Sequence, residues 1–168
     1  HGRLRPSPFF GWAIARAQRA PHNWLGQQLA QLMRRLVLAW APLPLDVAVG
    51  PVRMRCHLRD NNSEKKFVFM PWRFDAPERQ WLADALPRDG VFVDIGANVG
   101  IYSLAAATCL GPRGRIVALE PNPPAFDRLR FNLAATRAGR ADWPVVHTLR
   151  LGVGDVAGEF DLHLDPAN

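Results

Sequence analysis

The change in hydrophobic pattern at Val91 constrains the fold of this chain more than any other feature of its sequence. A five-residue apolar run, Val91–Ile95, leads directly into a loop that contains Gly96 and Gly100. Helical and apolar stretches then alternate, with a helix predicted over 101–109, a strand over 115–120, a helix over 123–138 and a strand over 145–149. This alternation predicts an α/β fold in which a partial Rossmann-like sheet of parallel strands has flanking helices.

Two segments precede this region, and the sheet region itself makes a third. Residues 1–44 form a basic helical segment, residues 45–90 a β-hairpin with a lead-in helix, and residues 91–168 the parallel sheet. The first segment is predicted to hold an amphipathic helix over 24–41, because apolar residues recur there at three- and four-residue steps on one face: Leu25, Leu29, Leu32, Met33, Leu36, Val37 and Trp40. The second predicts a hairpin around Gly50-Pro51, a loop over 59–63, a short strand over 67–70 and a helix over 75–86. A further strand is predicted over 159–164.

Composition limits the classes of protein to which this chain can belong. Its 168 residues, 48% of them hydrophobic and 21% charged, have the length and composition of about one globular domain. Two cysteines are too few for a disulfide scaffold or a cysteine-rich zinc site, and no metal site is predicted. No apolar run has the length of a membrane span and no signal-peptide pattern is present, so we expect a cytoplasmic protein.

The positive charge lies at the N-terminal end. Residues 1–60 carry nine arginines against two acidic residues, a net charge of +7, whereas residues 61–168 carry a net charge of −1. The first interpretation is that the charges lie on a solvated helix face, while the apolar face of the helix packs on its own domain or on a partner. The second is contact with a membrane surface. Nucleic acid, stacked on aromatic residues that alternate with arginines, is the least favoured partner.

The loop after the first parallel strand has the features of a ligand site. Its glycines allow a tight turn, and the helix that follows offers a positive dipole end. Asp94 at the end of the first strand can accept from an amine, and Glu120 at the end of the second can accept from both hydroxyls of a ribose. The dinucleotide fingerprint G-x-G-x-x-G is absent, because Asn98 stands where its second glycine would fall. The site therefore suits the cationic cofactor S-adenosyl-L-methionine, with an NAD-dependent oxidoreductase as the alternative.

Two sequence motifs resemble the FkbM family of class I S-adenosyl-L-methionine-dependent methyltransferases. They are Asp94-Ile95-Gly96-Ala97-Asn98-Val99-Gly100-Ile101-Tyr102-Ser103 and Ala118-Leu119-Glu120-Pro121-Asn122-Pro123. A third segment, Gly152-Val153-Gly154-Asp155-Val156-Ala157-Gly158, is similar to the stretch that follows the family's third strand. The resemblance covers residues 45–165 and implies the cofactor-binding part of a class I methyltransferase sheet.

The resemblance also implies a role for each matching residue. Residues around the loop would bind the methionine part of the cofactor: Asp94, Gly96, Ala97, Asn98, Gly100, Tyr102 and Ser103. Residues after the second and third strands would bind the nucleoside: Glu120 the ribose, and Asn122, Gly152, Val153 and Asp155 the adenine. A helix cap for Asn122 and a turn position for Asp155 are equally good interpretations.

The catalytic base, the methyl acceptor and the oligomeric state are left undefined by the sequence. The family's lysine-bearing strand does not follow within these residues, so we expect the cofactor-binding part of a longer methyltransferase or a chain completed by another. The resemblance implies methylation of a hydroxyl on a small molecule or sugar. A nucleic-acid methyltransferase, an RNA-binding module and a non-catalytic scaffold are the alternatives. The Asn122-Pro123-Pro124 sequence is similar to an amino-group methyltransferase motif, but it follows the second strand instead of the fourth, and Ala125 replaces the aromatic residue.

Overall fold

Helices occupy the start of the chain, and a strand–helix alternation occupies its second half. The computed structural model describes residues 1–159, Asp161 and Leu162. Within them the elements are α1 Pro8–Gln18, α2 Trp24–Trp40, β1 Leu45–Val49, β2 Val52–Cys56, α3 Asn62–Phe69, α4 Ala76–Ala85, β3 Val91–Ile95, α5 Ile101–Cys109, β4 Arg115–Leu119, α6 Pro123–Arg137 and β5 Val145–Leu149. They fall into two compact units, one made by residues 1–76 and one that begins at Pro77.

The first unit combines a helical hairpin with a β-hairpin. Strands β1 and β2 pair antiparallel from Leu45↔Cys56 to Val49↔Val52, as the sequence predicts. Helix α2 begins where the Asn23 side chain accepts a hydrogen bond from the Gly26 amide (2.9 Å). Gly26 is required there, because a Cβ atom would lie 1.8 Å from the Pro21 carbonyl oxygen.

The side of α2 that packs against the unit overlaps only partly with the predicted one, because Met33 and Val37 belong to both. Its buried residues are Gly26, Ala30, Met33 and Val37, whereas Leu25, Leu32 and Trp40 are exposed. The small residues Gly26 and Ala30 allow a close approach between α1 and α2, and they place the packing side next to the leucines instead of on them. The pattern of large apolar residues therefore identified the helix and only part of its buried side.

A buried carboxylate attaches the first residues of the chain to the β-hairpin. Asp46 accepts hydrogen bonds from the backbone amides of Gly2 (2.6 Å) and Leu4 (3.1 Å) and forms an ion pair with Arg55 (2.8 Å). Burial acts to raise the pKa of Asp46, but the Arg55 and backbone hydrogen bonds outweigh it and lower the pKa to about 2. The ionised carboxylate thus stabilises the first unit.

Helix α3 replaces the loop and short strand that were predicted over 59–70. The Asn61 side chain accepts from the Glu64 amide (2.9 Å), which starts a helix at Asn62. The consecutive apolar residues Phe67, Val68 and Phe69 are all buried in this helix. The prediction of a strand was wrong because a short apolar run fits a buried helix turn as well as a strand, and the N-cap decides between them.

The second unit contains the predicted parallel sheet. Strand order is β3-β4-β5, with Val91↔Arg115↔Val145 at one end and Ile95↔Leu119↔Leu149 at the other. Helices α5 and α6 make the two crossovers, so the carboxyl ends of all three strands meet at one edge of the sheet. The α/β fold class expected from the sequence is confirmed.

The sheet is covered on one face. Ile116 and Ala118 of β4 are fully buried, whereas Val91, Val93 and Ile95 of β3 are exposed. Among the described residues β3 pairs only with β4, so it lies at the edge of the parallel sheet.

Described residues after β5 form no regular element. Half of the strand predicted over 159–164 lies outside the described residues. In the part of the chain that the structure describes, no helix has the length and apolarity that a bilayer crossing requires.

Candidate functional site

The loop between β3 and α5 is attached to the end of β4 by its own backbone. The amides of Gly96 and Ala97 both donate to the Leu119 carbonyl (2.9 Å each). The Asn98 amide donates to Oε2 of Glu120 (2.6 Å). These bonds place the loop over the carboxyl edge of the sheet, where ligands bind in open α/β folds.

Three residues of the loop have a left-handed backbone. Gly96, Asn98 and Gly100 have φ values of +73°, +50° and +91°. Asparagine is one of the few other residues that tolerates this region, which explains how the loop dispenses with a third glycine. At Gly100 a Cβ would lie 2.5 Å from Cδ1 of Leu129, so α6 packs directly against the loop.

Glu120 holds the site together from the end of β4. Its side chain is 7% exposed, and its two oxygens accept from the Asn98 amide (2.6 Å) and the Asn122 amide (2.9 Å). A carboxylate has about four lone-pair positions, so acceptor capacity remains on both oxygens. The carboxylate is fixed in position and can still accept from a ligand.

Asp94 combines a structural bond with a raised pKa. Its Oδ2 accepts from both the amide (2.9 Å) and the hydroxyl (2.5 Å) of Ser103 in the first turn of α5. Burial raises the pKa of Asp94; the Ser103 hydrogen bonds oppose the rise and the charge of Glu120 adds to it. Within the described part of the chain Oδ1 accepts no hydrogen bond, so this oxygen is the one available to a ligand.

The backbone of the loop offers few free donors. Besides the three amides already described, the Gly100 amide donates to the Ala97 carbonyl (2.8 Å). A phosphate-binding loop needs unoccupied amides that point at the ligand, and most amides of this loop already donate to acceptors of the protein. With the carboxylates of Asp94 and Glu120 beside it, the site attracts cations and hydrogen-bond donors and repels phosphate.

Asn122 has an unsatisfied buried oxygen. It occupies the N-cap position of α6, but its side chain makes no capping hydrogen bond. Its Oδ1 is buried and has no hydrogen-bond partner among the described residues. The helix-cap interpretation therefore does not account for this side chain, whereas a donor on a ligand beside Glu120 would satisfy the oxygen.

The two predicted residues at the start of α5 are in different surroundings. Ser103 is fully buried and its hydroxyl is bonded to Asp94, so it positions that carboxylate. Tyr102 is half-buried and lines a cleft of about 530 Å³, together with Pro77, Glu78, Trp81, Leu82 and Phe92.

The predicted residues after β5 are only partly brought to the site. Gly152 lies next to Pro121, with 3.9 Å between the position of a Cβ and the proline Cβ. This places Gly152 beside the segment between Glu120 and Asn122. Val153 and Asp155 follow with exposed side chains, and Asp155 takes part in no ion pair or side-chain hydrogen bond with the described residues.

Asn132 of α6 is a site residue that the sequence analysis missed. It is fully buried, and its Nδ2 donates to the Val99 carbonyl (3.0 Å) from 33 residues further along the chain. With Leu129 one turn earlier, it supports the loop from the α6 side. The sequence signal that could have identified it is an amide residue between apolar residues on the packing side of a helix. A buried amide in that position needs a specific hydrogen-bond partner.

Curated relatives were found for part of the chain, and no family model matches it. AMB antimetabolite synthetase AmbE of Pseudomonas aeruginosa is 42% identical over 74 residues, which is 44% of this chain and 3% of that protein. Release factor glutamine methyltransferase of Mycolicibacterium smegmatis is 32% identical over 99 residues, 58% of this chain and 29% of that protein. Hexuronic acid methyltransferase AglP of Haloferax volcanii is 31% identical over 85 residues, 51% of this chain and 31% of that protein.

The chain spans less than a third of the length of these relatives. Among solved structures, Pyrococcus horikoshii TYW2 in complex with MeSAdo is similar at 16% identity and a TM-score of 0.47, over 73% of this chain and 47% of that one. Two of the three relatives are named methyltransferases, and the part of this chain that is described contains a three-stranded parallel sheet.

Proposed function

We propose that this chain carries the S-adenosyl-L-methionine site of a methyltransferase of the FkbM type. The observation that carries the proposal is the pair of carboxylates, Asp94 and Glu120, at the ends of adjacent parallel strands around a loop whose amides mostly donate to acceptors of the protein. This arrangement accepts a cation and hydroxyl groups, which the amino-acid and ribose ends of this cofactor provide.

The residues present fit that cofactor. Oδ1 of Asp94 is open to the ammonium group and the remaining lone pairs of Glu120 to the ribose hydroxyls, and the buried Oδ1 of Asn122 is the acceptor proposed for the adenine amino group. Asn122 is the strongest of the three indications, because the described residues leave its oxygen without a partner. When bound, the cofactor supplies an electrophilic methyl group, and the chain's task is to fix its orientation toward the acceptor.

The proposed acceptor is a hydroxyl group of a small molecule or a sugar. Support comes from the FkbM resemblance and from the relative named hexuronic acid methyltransferase AglP. The relative named release factor glutamine methyltransferase points to nitrogen instead. Against nitrogen, Asn122-Pro123-Pro124 starts α6 directly after β4, the second strand of the parallel sheet, and Ala125 follows it in place of an aromatic residue.

Calorimetric titration of this chain with S-adenosylhomocysteine tests the cofactor proposal. We expect saturable binding by the parent chain and none of NADH. Glu120→Gln should weaken binding about tenfold or more, because one acceptor is lost beside the ribose. Repeating both titrations with the 2′-deoxy analogue of the ligand distinguishes loss of a direct contact from distortion of the site. If Glu120 contacts the 2′-hydroxyl, removal of that hydroxyl should lower the affinity less in Glu120→Gln than in the parent chain.

Asp127→Asn is the matched control, because it removes an exposed carboxylate of α6 in the same unit. It should leave the affinity unchanged. A folded parent chain that binds no S-adenosylhomocysteine would overturn the proposal. An equal loss of affinity in Asp127→Asn and Glu120→Gln would mean that the loss comes from the changed net charge and not from a contact between Glu120 and the ligand.

Methyl transfer to hexuronic acids and to glutamine-containing peptides distinguishes the acceptor classes. Mass spectrometry of the products should find the added methyl group on a sugar oxygen. Methylated glutamine with unmodified sugar would contradict the acceptor proposal and leave the cofactor proposal standing.

A further inference from the structure

Helix α2 carries an apolar stripe in which Leu25, Leu32 and Trp40 are exposed and Leu29 and Leu36 are half-buried. Leu25, Leu29, Leu32, Leu36 and Trp40 follow at steps of four, three, four and four residues, which places them within an arc of about 80°. Leu25, Leu32 and Trp40 are 66%, 50% and 77% exposed. The residues that pack against the unit are centred about 90° away around the helix. We refer to these five residues as the leucine stripe.

The same helical hairpin exposes further aromatic residues. Phe9 and Trp12 of α1 are 54% and 56% exposed, and Trp24 at the start of α2 is 69% exposed. Their aromatic rings have an apolar body, and the indole N–H of tryptophan remains able to meet water or a headgroup. Three exposed tryptophans and several exposed leucines are more than the isolated apolar residues of an ordinary surface.

The charge around these residues has a single sign. The first 45 residues contain six arginines, no lysine and no acidic residue. Five of the six arginines are exposed and Arg34 is half-buried, and none of them forms an ion pair within the described part of the chain. On α2, the helical angle places Arg35 on the side of the leucine stripe that is remote from the packing residues.

We propose that the α1–α2 hairpin is a docking surface for an anionic lipid bilayer, on which α2 lies in the interface plane. An apolar stripe beside unpaired arginines matches the acyl and headgroup layers of such a surface. A second copy of the chain would bring two surfaces of like charge together, which disfavours self-association. Nucleic acid would satisfy the arginines but would leave the leucines without apolar contact. The proposal is independent of the methyl-transfer proposal.

Vesicle co-sedimentation of the chain tests this docking surface. Vesicles of phosphatidylcholine with 30% phosphatidylglycerol should bind the chain, and pure phosphatidylcholine vesicles should bind it much less. A blue shift of tryptophan fluorescence should accompany binding. Leu25→Gln/Leu32→Gln should weaken binding on the order of tenfold, because it removes apolar area from the contact. Arg16→Gln/Arg35→Gln should weaken it about fivefold per arginine.

Matched controls remove the same groups elsewhere on the surface. Leu151→Gln/Val156→Gln replaces two exposed apolar residues, and Arg113→Gln/Arg150→Gln replaces two exposed arginines, all in the second unit. Both should retain binding. Far-UV circular dichroism verifies that every variant is folded, which is expected because all eight side chains are exposed.

Three results would overturn the proposal. Equal losses in the control variants would mean that no specific surface is used. Binding to an RNA oligonucleotide that depends on the arginines alone, with no vesicle binding, would assign the hairpin to nucleic acid. Concentration-dependent dimerisation that Leu25→Gln/Leu32→Gln abolishes, again without vesicle binding, would assign the stripe to a second copy.

Discussion

Glu120 at the end of β4 accepts a 2.6 Å hydrogen bond from the backbone amide of Asn98, the left-handed residue in the middle of the preceding loop. The residue proposed to bind the ribose therefore also fixes the loop proposed to bind the amino-acid end. Neither part of the site can move without the other. Substitutions in α6 that disturb the loop should consequently change the affinity for the same ligand.

Asp94→Asn should separate ligand affinity from stability. Burial raises the pKa of Asp94 above its ordinary value of 3.8, so the folded chain disfavours the charged form and loses stability as the pH rises through that raised pKa. The amide keeps an acceptor for Ser103 without the charge. We expect a thermal midpoint at pH 7 equal to or above that of the parent, with S-adenosylhomocysteine binding weakened about ten- to a hundredfold.

Thermal unfolding from pH 3 to pH 8 and calorimetric titration provide both measurements. The Asp94→Asn variant should lack the loss of stability with rising pH. A variant that is less stable than the parent at pH 7 would show that the charge itself is needed for the fold.

Gly100→Ala should destabilise the chain more than Gly96→Ala. Both glycines have positive φ, which in alanine costs about 1–2 kcal/mol. A Cβ at Gly96 meets nothing within 4 Å, whereas one at Gly100 lies 2.5 Å from Cδ1 of Leu129. Truncation of Leu129 removes that clash, so Gly100→Ala/Leu129→Ala should be less destabilised than the sum of its single variants, by about 0.5–3 kcal/mol.

Urea unfolding of the four variants and the parent gives this cycle. Additive free energies of unfolding would mean that the loop moves away from α6 at no cost. The direct contact between Gly100 and Leu129 would then not be needed.

Asn132→Leu should lower the free energy of unfolding by about 1–3 kcal/mol, because it leaves the Val99 carbonyl without its buried donor. Affinity for S-adenosylhomocysteine should fall as well, since Val99 belongs to the loop. Hydrogen exchange at the Gly100 amide should become faster. Gln80→Leu replaces an exposed helical amide in the same unit and should change stability by less than about 0.5 kcal/mol.

Asp46→Asn should reduce stability at neutral pH by about 2 kcal/mol, since the pKa of Asp46 is lowered from 3.8 to about 2. A lowered pKa contributes stability above the unfolded value, and this contribution disappears as the pH falls through the folded one. Parent and variant should therefore converge between about pH 4 and pH 2. Asp89→Asn is the control, because its 3.8 Å ion pair with Arg113 is exposed and contributes little.

The strands of the parallel sheet were predictable because short apolar runs between glycine-rich turns have few other interpretations. Val91–Ile95 and Val145–Leu149 have their predicted bounds. Helix α3 was not predicted, because its start depends on a single bond from the Glu64 amide to the Asn61 side chain. Local capping of this kind is weakly visible in a sequence that also offers an apolar run.

The loop and the two carboxylates were likewise identified from the sequence, since strand ends of a parallel sheet meet at one edge. The sequence could not predict the contacts between residues that are far apart along the chain. Asn132 reaches Val99 across 33 residues, and the Asn122 oxygen proves to be buried without a partner among the described residues. Both facts depend on how α6 packs.

A loop that has already used its amides recognises a ligand largely through the groups that the ligand donates. Many metabolites share an adenosine with the proposed cofactor but carry phosphates, which donate nothing and bear the wrong charge for Asp94 and Glu120. The charge of the group attached to the ribose therefore discriminates among these metabolites independently of their shape. Abundant nucleotides would be rejected by electrostatic repulsion, and the site would require no steric barrier against them.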